Sequence, residues 1–158
     1  MRFRHHMKIL SLCAFLLTFT SAFSQEVVKI NMDDLNQEMV SDENHIKVFN
    51  FWASWCGPCV KELPYFDELA DNPDLDVTLV SLDFEEEIKK ASSILKKKGI
   101  GLSSYLLDEK DFIDKVDSSW TGAIPATLIL DKSGNRYFFE KAFTREELHQ
   151  TISNIISK

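Results

Sequence analysis

The sequence predicts an α/β fold in which a central mixed sheet carries helices on both faces. Two observations lead to this class. Short apolar segments of strand type alternate along the chain with segments of helical type, which is the order expected when helices cover a sheet. One strand candidate, residues 76–84 (DVTLVSLDF), is apolar almost throughout, as in strands buried on both faces. The chain shows no internal repeat and no Gly- or Pro-rich linker, so a single domain is expected.

The elements of the first half surround the most distinctive motif of the chain. Residues 27–31 form a short strand candidate. Residues 45–53 (HIKVFNFWA) form a strong one, because aromatic and β-branched side chains favour strands. A helix is predicted from about residue 56 to residue 70, and the apolar strand 76–84 follows it.

Charge predicts the next helix. Residues 85–99 read EEEIKKASSILKKKG, with acids at the start and lysines at the end. This distribution complements the helix dipole, and glycine is the usual residue just beyond a helix. The lysine run therefore indicates a helix end, and an anion-binding patch is the less favoured interpretation.

The second half continues the alternation with three segments: strand 103–108, helix 111–116 and strand 125–131. Residues 132–135 (KSGN) form a turn, after which residues 136–143 (RYFFEKAF) return as an antiparallel strand. Because the other strands are joined through helices and this one through a turn, the sheet is predicted to be mixed.

A capping box marks the start of the last helix. Thr144 is followed three residues later by Glu147. In this arrangement each side chain accepts a hydrogen bond from the backbone N–H of the other residue, which satisfies two N–H groups at the helix start. The final helix is therefore predicted to begin directly after Thr144.

The N-terminal segment predicts an exported protein. Basic residues precede an apolar run over residues 9–23, and Ala22-Phe23-Ser24 fits a small-x-small cleavage signal. We assign residues 1–24 to a signal peptide that is cleaved, and residues 25–158 to the folded domain in the periplasm. The alternative is an uncleaved anchor, although the run is shorter than the ~20 residues that a spanning helix needs.

Composition and charge exclude several classes of partner. The 158 residues are 44% hydrophobic and 27% charged, which is typical of a globular chain. The leader carries three of the 18 basic residues and none of the 25 acidic ones, so the mature part has a net charge of −10. This acidic balance argues against nucleic acid and anionic lipid as partners. We expect a monomer.

The cysteine count indicates redox chemistry. Without the leader, which contains Cys13, only Cys56 and Cys59 remain. A secreted fold stapled by disulfides has more cysteines, spread through the chain. A structural zinc site needs four ligands, and His45 and His149 are isolated, so no metal site is predicted. A purely structural disulfide between residues three apart would constrain little of the unfolded chain.

The predicted secondary structure gives this pair a suitable environment. Cys56 lies where a strand ends and a helix begins, so unpaired N–H groups and the helix dipole stabilise its thiolate. Cys59 follows one turn later on nearly the same face. Pro58 removes an N–H that has no helical partner in any case. The pair can therefore exchange with a substrate disulfide: Cys56, which we expect to be exposed, attacks it, and Cys59 resolves the mixed disulfide.

Together these motifs resemble the thioredoxin superfamily. The residues that carry the resemblance are FWASWCGPC, Pro64 and GAIPATLIL, and it extends over nearly all of residues 27–158. The apparent signal peptide and WCGPCVKELP resemble its bacterial extracytoplasmic branch, the TlpA/ResA-type thiol-disulfide oxidoreductases. The resemblance implies a thioredoxin-like fold, with Cys56 as the nucleophile and Cys59 as the resolving, more buried thiol.

The resemblance also implies a substrate-binding surface around the pair. Pro125 would be the cis-proline that faces the cysteines, and the backbone of Ile124 would pair with an extended substrate. Gly57 and Pro58 would face the substrate between the two cysteines. Trp55 would flank the site, and we expect it to pack partly into the core as well.

Asn50 and Glu62 depart from the cytoplasmic thioredoxin pattern. Those proteins have a buried Asp six residues before the nucleophile, where this chain has Asn50, which cannot titrate. The extracytoplasmic branch often has a Glu three residues after the second cysteine, here Glu62. Glu62 either shuttles the proton of Cys59 or is placed by the helix dipole. Trp120, before TGAIP, either borders the substrate groove or packs in the core.

The predicted function is the reduction of disulfides in partner proteins through the Cys56–Cys59 dithiol. The CGPC sequence is that of reducing thioredoxins, and such a protein needs a membrane electron donor and no cofactor beyond its own redox-active disulfide. Two alternatives remain. One is a disulfide oxidase or isomerase of the same fold, which Pro58 disfavours because such enzymes usually carry His there. The other is a non-catalytic Cu(I) metallochaperone that uses the dithiol.

Overall fold

Most strands lie close to their predicted positions, but the strand predicted over residues 136–143 ends at Phe139. The computed structural model describes residues 26–157, and the predicted signal peptide lies outside them. The strands are β1 (Val27–Ile30), β2 (Ile46–Trp52), β3 (Leu75–Ser81), β4 (Ser104–Leu107), β5 (Ala126–Leu130) and β6 (Arg136–Phe139).

The helices include one that the sequence did not predict. They are α1 (Met32–Glu38), α2 (Gly57–Leu69), α3 (Ile88–Lys98), α4 (Ile113–Val116) and α5 (Arg145–Ile156). The unpredicted helix is α1, which starts with a capping box between Asn31 and Asp34. The acids Glu85–Glu87, predicted as the first turn of a helix, form a 3-10 turn before α3. Gly99 ends α3 with a φ of 70°, in the left-handed region that favours glycine.

The sheet is mixed, as predicted, with the order β1-β4-β3-β2-β5-β6. The first four strands in this order are mutually parallel, while β5 runs antiparallel to both β2 and β6. This places β2, which leads into the two cysteines, at the centre of the sheet. Asn50 of β2 pairs in register with Thr127 of β5.

Helices cover both faces of the sheet. The side chains of each strand alternate between two separate cores, one on each face. On one face, Val48 and Trp52 of β2 pack in a core that includes residues of α2, α3 and α5. On the other, Phe49 and Phe51 pack in a core that includes Met32 and Leu35 of α1 and Val116 of α4. Within residues 26–157, no helix has the length and apolarity needed to cross a membrane.

The strand predicted over residues 76–84 ends earlier than expected. It stops at Ser81, and Asp83 turns inward with only 1% of its surface exposed. Phe84, predicted as part of the strand, is 66% exposed. Beyond the end of β3, the Asp83 carboxylate accepts hydrogen bonds from Ser81 and Ser54, which ties the chain after β3 to the segment after β2.

Candidate active site

The two cysteines form a disulfide at the start of α2. The Cα atoms of Cys56 and Cys59 are 5.3 Å apart, and their sulfur atoms are bonded. Cys56 is the N-cap residue, and its Sγ accepts a hydrogen bond from the backbone N–H of Cys59 at 3.3 Å. A helix start offers unpaired N–H groups and the positive end of the dipole, so the site favours a thiolate at Cys56.

Burial separates the two sulfurs as the resemblance implied, although Cys56 is less open than expected. Cys59 has no exposed surface, whereas Cys56 is 7% exposed. The expectation of an exposed Cys56 is therefore wrong in extent, because residues distant in sequence cover it. Its Sγ lies 3.8 Å from the carbonyl oxygen of Ile124.

The segment that covers Cys56 ends in a cis peptide bond between Ile124 and Pro125. The resemblance implied this proline, and it leads directly into β5. The carboxylate of Glu140 holds the preceding loop by accepting hydrogen bonds from the Thr121 hydroxyl and from the N–H groups of Thr121 and Ala123. These bonds lower the pKa of Glu140, with the Thr121 hydroxyl making the largest contribution. The loop thus presents the Ile124 carbonyl beside the disulfide.

The two tryptophans that sequence reasoning singled out have different environments. Trp55 is 57% exposed next to Cys56, so the expectation that it packs partly into the core is not met. Gly57 and Pro58 are exposed as well. Trp120 is 4% exposed, packs against Phe51 and other aromatic rings, and donates from its indole to the Ala123 carbonyl. Trp120 is therefore a core residue that supports the cis-proline loop.

Glu62 is a buried carboxyl on α2, one turn after Cys59. It is 1% exposed and accepts hydrogen bonds from two donors. The side-chain amide of Asn50 donates to Oε1 at 3.0 Å, and the backbone N–H of Phe143 donates to Oε2 at 2.7 Å. Burial raises the pKa of Glu62 to about 7, and the bonds from Phe143 and Asn50 oppose this rise. A group with such a pKa can take up and release a proton near neutral pH.

A groove of about 690 Å³ opens beside Glu62, between the start of α2 and the start of α5. Gly57 and Pro58 line it next to the disulfide, and Lys61 and Arg145 line it with positive charge. The groove therefore opens from the surface to Glu62 and to the two residues between the cysteines. Within residues 26–157, no three His, Cys, Asp or Glu side chains converge as ligands for a metal ion.

Sequence reasoning missed Asp83, which fixes the chain just before the cysteines. Its carboxylate accepts from the Ser54 N–H at 2.9 and 3.0 Å, from the Ser54 hydroxyl at 2.7 Å and from the Ser81 hydroxyl at 2.7 Å. The segment before Cys56 is thereby held to the end of β3. The available signal was an acid inside an apolar run, since Asp is almost never fully buried without partners.

Comparison with known proteins agrees with this fold. The family model described as thioredoxin matches residues 26–97. The chain is 30% identical over 135 residues to the thiol-disulfide oxidoreductase ResA of Bacillus cereus, covering 80% of this chain and 69% of the relative. It is 25% identical over 108 residues to ResA of Geobacillus thermodenitrificans, covering 67% of this chain and 60% of the relative.

Solved structures share the fold. A secreted disulfide oxidoreductase of Mycobacterium tuberculosis superposes with a TM-score of 0.58 at 19% identity, covering 70% of this chain and 82% of that one. One curated relative is much longer than this chain. The chain spans only 17% of a putative protein disulfide-isomerase from Schizosaccharomyces pombe, with 36% identity over 85 residues and 51% of this chain covered.

Proposed function

The chain belongs to the thioredoxin family, of the ResA type, and from this premise we propose that it is a thiol-disulfide oxidoreductase that reduces disulfides in partner proteins. The observation that carries the proposal is the Cys56–Cys59 disulfide at the start of α2, with the Ile124 carbonyl 3.8 Å from the Cys56 sulfur. This arrangement combines a sulfur that favours the thiolate with a backbone segment that can pair with an extended substrate.

In the proposed reaction a thiol donor first supplies two electrons and two protons, which convert the disulfide into two thiols. The Cys56 thiolate then attacks one sulfur of the substrate disulfide, and the other substrate sulfur leaves as a thiolate. A mixed disulfide now joins Cys56 to the substrate. Cys59, as a thiolate, attacks Cys56, which re-forms the disulfide and releases the second substrate thiol.

Glu62 is proposed to accept the proton that Cys59 must lose in the resolving step. The two residues lie one turn apart on α2, and both are buried. A buried thiol does not ionise readily, because burial disfavours its charged form. A carboxylate whose pKa is about 7 can take that proton at neutral pH and later release it to solvent through the adjacent groove.

The proposed direction is reductive. The CGPC sequence is that of reducing thioredoxins, whose potential is about −270 mV. The proposed location is outside the cytoplasm, and the proposed source of electrons is a donor in the membrane. A thiol that must stay reduced in an oxidising compartment needs such a supply. We expect secreted protein that starts at Gln25, and N-terminal sequencing of the periplasmic fraction tests this location.

The deciding experiment is the reduction potential of the Cys56–Cys59 couple. We expect a value near or below about −250 mV when the protein is equilibrated in graded thiol–disulfide buffers and its thiols are trapped. In the same preparation, Cys56→Ser should abolish insulin reduction, because no nucleophile remains. Cys59→Ser should accumulate a mixed disulfide with the substrate. Insulin reduction that survives Cys56→Ser would refute the assignment.

A disulfide isomerase or oxidase is the second candidate. The similarity to a putative protein disulfide-isomerase over 85 residues favours it. A potential above about −180 mV would support this candidate and exclude the reductase, because protein disulfide isomerase lies near that value. Refolding of a scrambled disulfide protein would then separate isomerase from oxidase.

A further inference from the structure

The side chain of Asn50 has an unused acceptor deep in the core. Asn50 has no exposed surface. Its Nδ2 donates to Glu62 Oε1 at 3.0 Å and lies 3.5 Å from Thr127 Oγ1. Its Oδ1 has no hydrogen-bond partner, and no other buried side-chain nitrogen or oxygen in residues 26–157 shares this condition. Buried polar atoms nearly always have partners, so the exception requires an explanation.

The orientation of this carboxamide is fixed by Glu62. If the amide were turned around, Oδ1 would face the carboxylate, and two acceptors would meet without a proton between them. Phe143 already donates to the other carboxylate oxygen, so Glu62 needs its second donor from Asn50. Oδ1 is therefore directed away from Glu62 while Glu62 is ionised, and it remains available to another donor.

Reduction of the disulfide creates that donor. Two electrons and two protons turn the disulfide into two thiols, and the two new S–H groups differ in environment. Cys56 lies at the helix start with 7% of its surface exposed, whereas Cys59 has none exposed. The Cys59 thiol can therefore find an acceptor only inside the protein. Cys59 lies one turn before Glu62 on the same face of α2, and Glu62 is bonded to Asn50.

We infer that Asn50 is a positioning residue whose Oδ1 accepts a hydrogen bond from the thiol of reduced Cys59 while its Nδ2 holds Glu62. One carboxamide thus keeps the thiol and the carboxylate in fixed relation. The proton stays on Cys59 until the resolving step, in which it passes to Glu62. This inference rests on the proposed function, because it assigns Asn50 a place in the same redox cycle.

The bond exists only in the reduced protein, so it stabilises the dithiol relative to the disulfide. A single hydrogen bond contributes about 0.5–1.5 kcal/mol, which corresponds to about twofold to thirteenfold in an equilibrium constant. Asn50→Leu should therefore shift the equilibrium with dithiothreitol toward the disulfide by this factor. Thr127→Val is the matched control, because Thr127 approaches only Nδ2, and it should leave the equilibrium within about twofold.

The direct test is the infrared S–H stretching band of Cys59. In Cys56→Ser, Cys59 is the only thiol of the mature chain, so its band is read without overlap. We expect a band lowered by hydrogen bonding. In the same background, Asn50→Leu should move the band to the frequency of a free thiol. Asn50→Asp, which keeps an acceptor oxygen, should retain the lowered band.

A free-thiol band in Cys56→Ser with Asn50 intact would overturn the inference, and this measurement needs no substitution in the core network. A lowered band that persists in Asn50→Leu would overturn it too, and would assign the acceptor to another group. Neither outcome depends on turnover of a substrate. The proposed function is judged separately, from insulin reduction and the potential of the couple.

Discussion

Glu62 and Asp83 are both buried carboxyl groups near the disulfide, each 1% exposed, yet their surroundings differ. Asp83 accepts from three donors: the N–H and the hydroxyl of Ser54 and the hydroxyl of Ser81. Glu62 accepts from two, one on each oxygen, and it borders the groove beside the disulfide. The partners of Asp83 come from the strand ends that carry the active-site loop.

The number and kind of hydrogen-bond donors distinguish a carboxylate that holds the chain in place, here called the anchor, from one that carries a proton. A carboxylate bonded by several N–H and O–H groups holds those groups in place, and removing it leaves them buried without partners. Burial raises the pKa of Glu62 to about 7, although its two hydrogen bonds oppose this rise. We therefore expect Asp83 to govern stability and Glu62 to govern pH dependence and turnover.

Replacing the anchor should have the largest effect on stability. Asp83→Ala leaves three buried donors without an acceptor, so we expect the free energy of unfolding to fall by about 3–5 kcal/mol. Urea unfolding of the oxidised protein measures this loss. Asp71→Ala, at an exposed aspartate after α2, is the control and should change stability by less than about 0.5 kcal/mol. A similar small loss for Asp83→Ala would break the distinction between the two carboxyls.

The pH dependence of stability should depend on Glu62. Its pKa is raised from 4.5 to about 7, so the folded protein holds the proton more tightly than the unfolded chain. The stabilisation from protonation is complete below pH 4.5 and is lost as the pH rises through about 7. We expect the oxidised protein to lose on the order of 2–3 kcal/mol between pH 4.5 and pH 8 through this group.

Glu62→Gln is the matched variant for this pH effect, because it keeps the shape and removes the titration. Its unfolding free energy should lose the part of the slope between pH 4.5 and pH 7 that Glu62 supplies. Equal slopes for the variant and the parent would mean that Glu62 titrates alike in the folded and unfolded chains.

In free-energy terms, replacing Glu62 should change turnover by less than replacing Asp83 changes stability. With the carboxylate absent, Cys59 loses its proton acceptor, so Glu62→Gln should slow insulin reduction at pH 7 by about tenfold or more. The inflection near pH 7 in the pH–rate profile should disappear as well. Glu68→Gln is the control, because Glu68 lies further along α2 and its side chain is partly exposed. An unchanged profile in Glu62→Gln would mean that Glu62 serves only as a buried acceptor for Asn50 and Phe143.

Most of the fold could be predicted from the sequence, because the local signals agreed with one another. The capping box at Thr144, the glycine after α3 and the apolar strand patterns all marked elements that the structure contains. The prediction missed α1, which has only seven residues and whose local marks are the Asn31–Asp34 capping box and the acids of its first turn. A short helix with few apolar positions gives little periodicity, so packing against the sheet decides its formation.

The chemistry of the site was only partly visible in the sequence. Two cysteines three residues apart define their own geometry, because a helix turn brings them together. The contact of Cys56 with Ile124 joins residues 68 apart, and the bond from Asn50 to Glu62 joins a strand to a helix. Such contacts depend on the register of the sheet and on how α2 lies over it. The spacing of residues along the chain does not reveal the register of the sheet or the position of α2.

The smallest predicted effect tests whether Ser81 and Asp83 stabilise the protein through the same hydrogen bonds. Ser81 donates its hydroxyl to Asp83 Oδ2 at 2.7 Å and accepts from the Asp83 N–H at 3.2 Å. Ser81→Ala should therefore lower the free energy of unfolding by about 1 kcal/mol, with Ser118→Ala at an exposed turn as the control. In the Asp83→Ala background the same change should cost clearly less, because the bond from the Ser81 hydroxyl to the carboxylate has already gone. Additive losses in this double-mutant cycle would mean that Ser81 stabilises the end of β3 without Asp83, and Ser54 would then be the principal partner of the buried carboxylate.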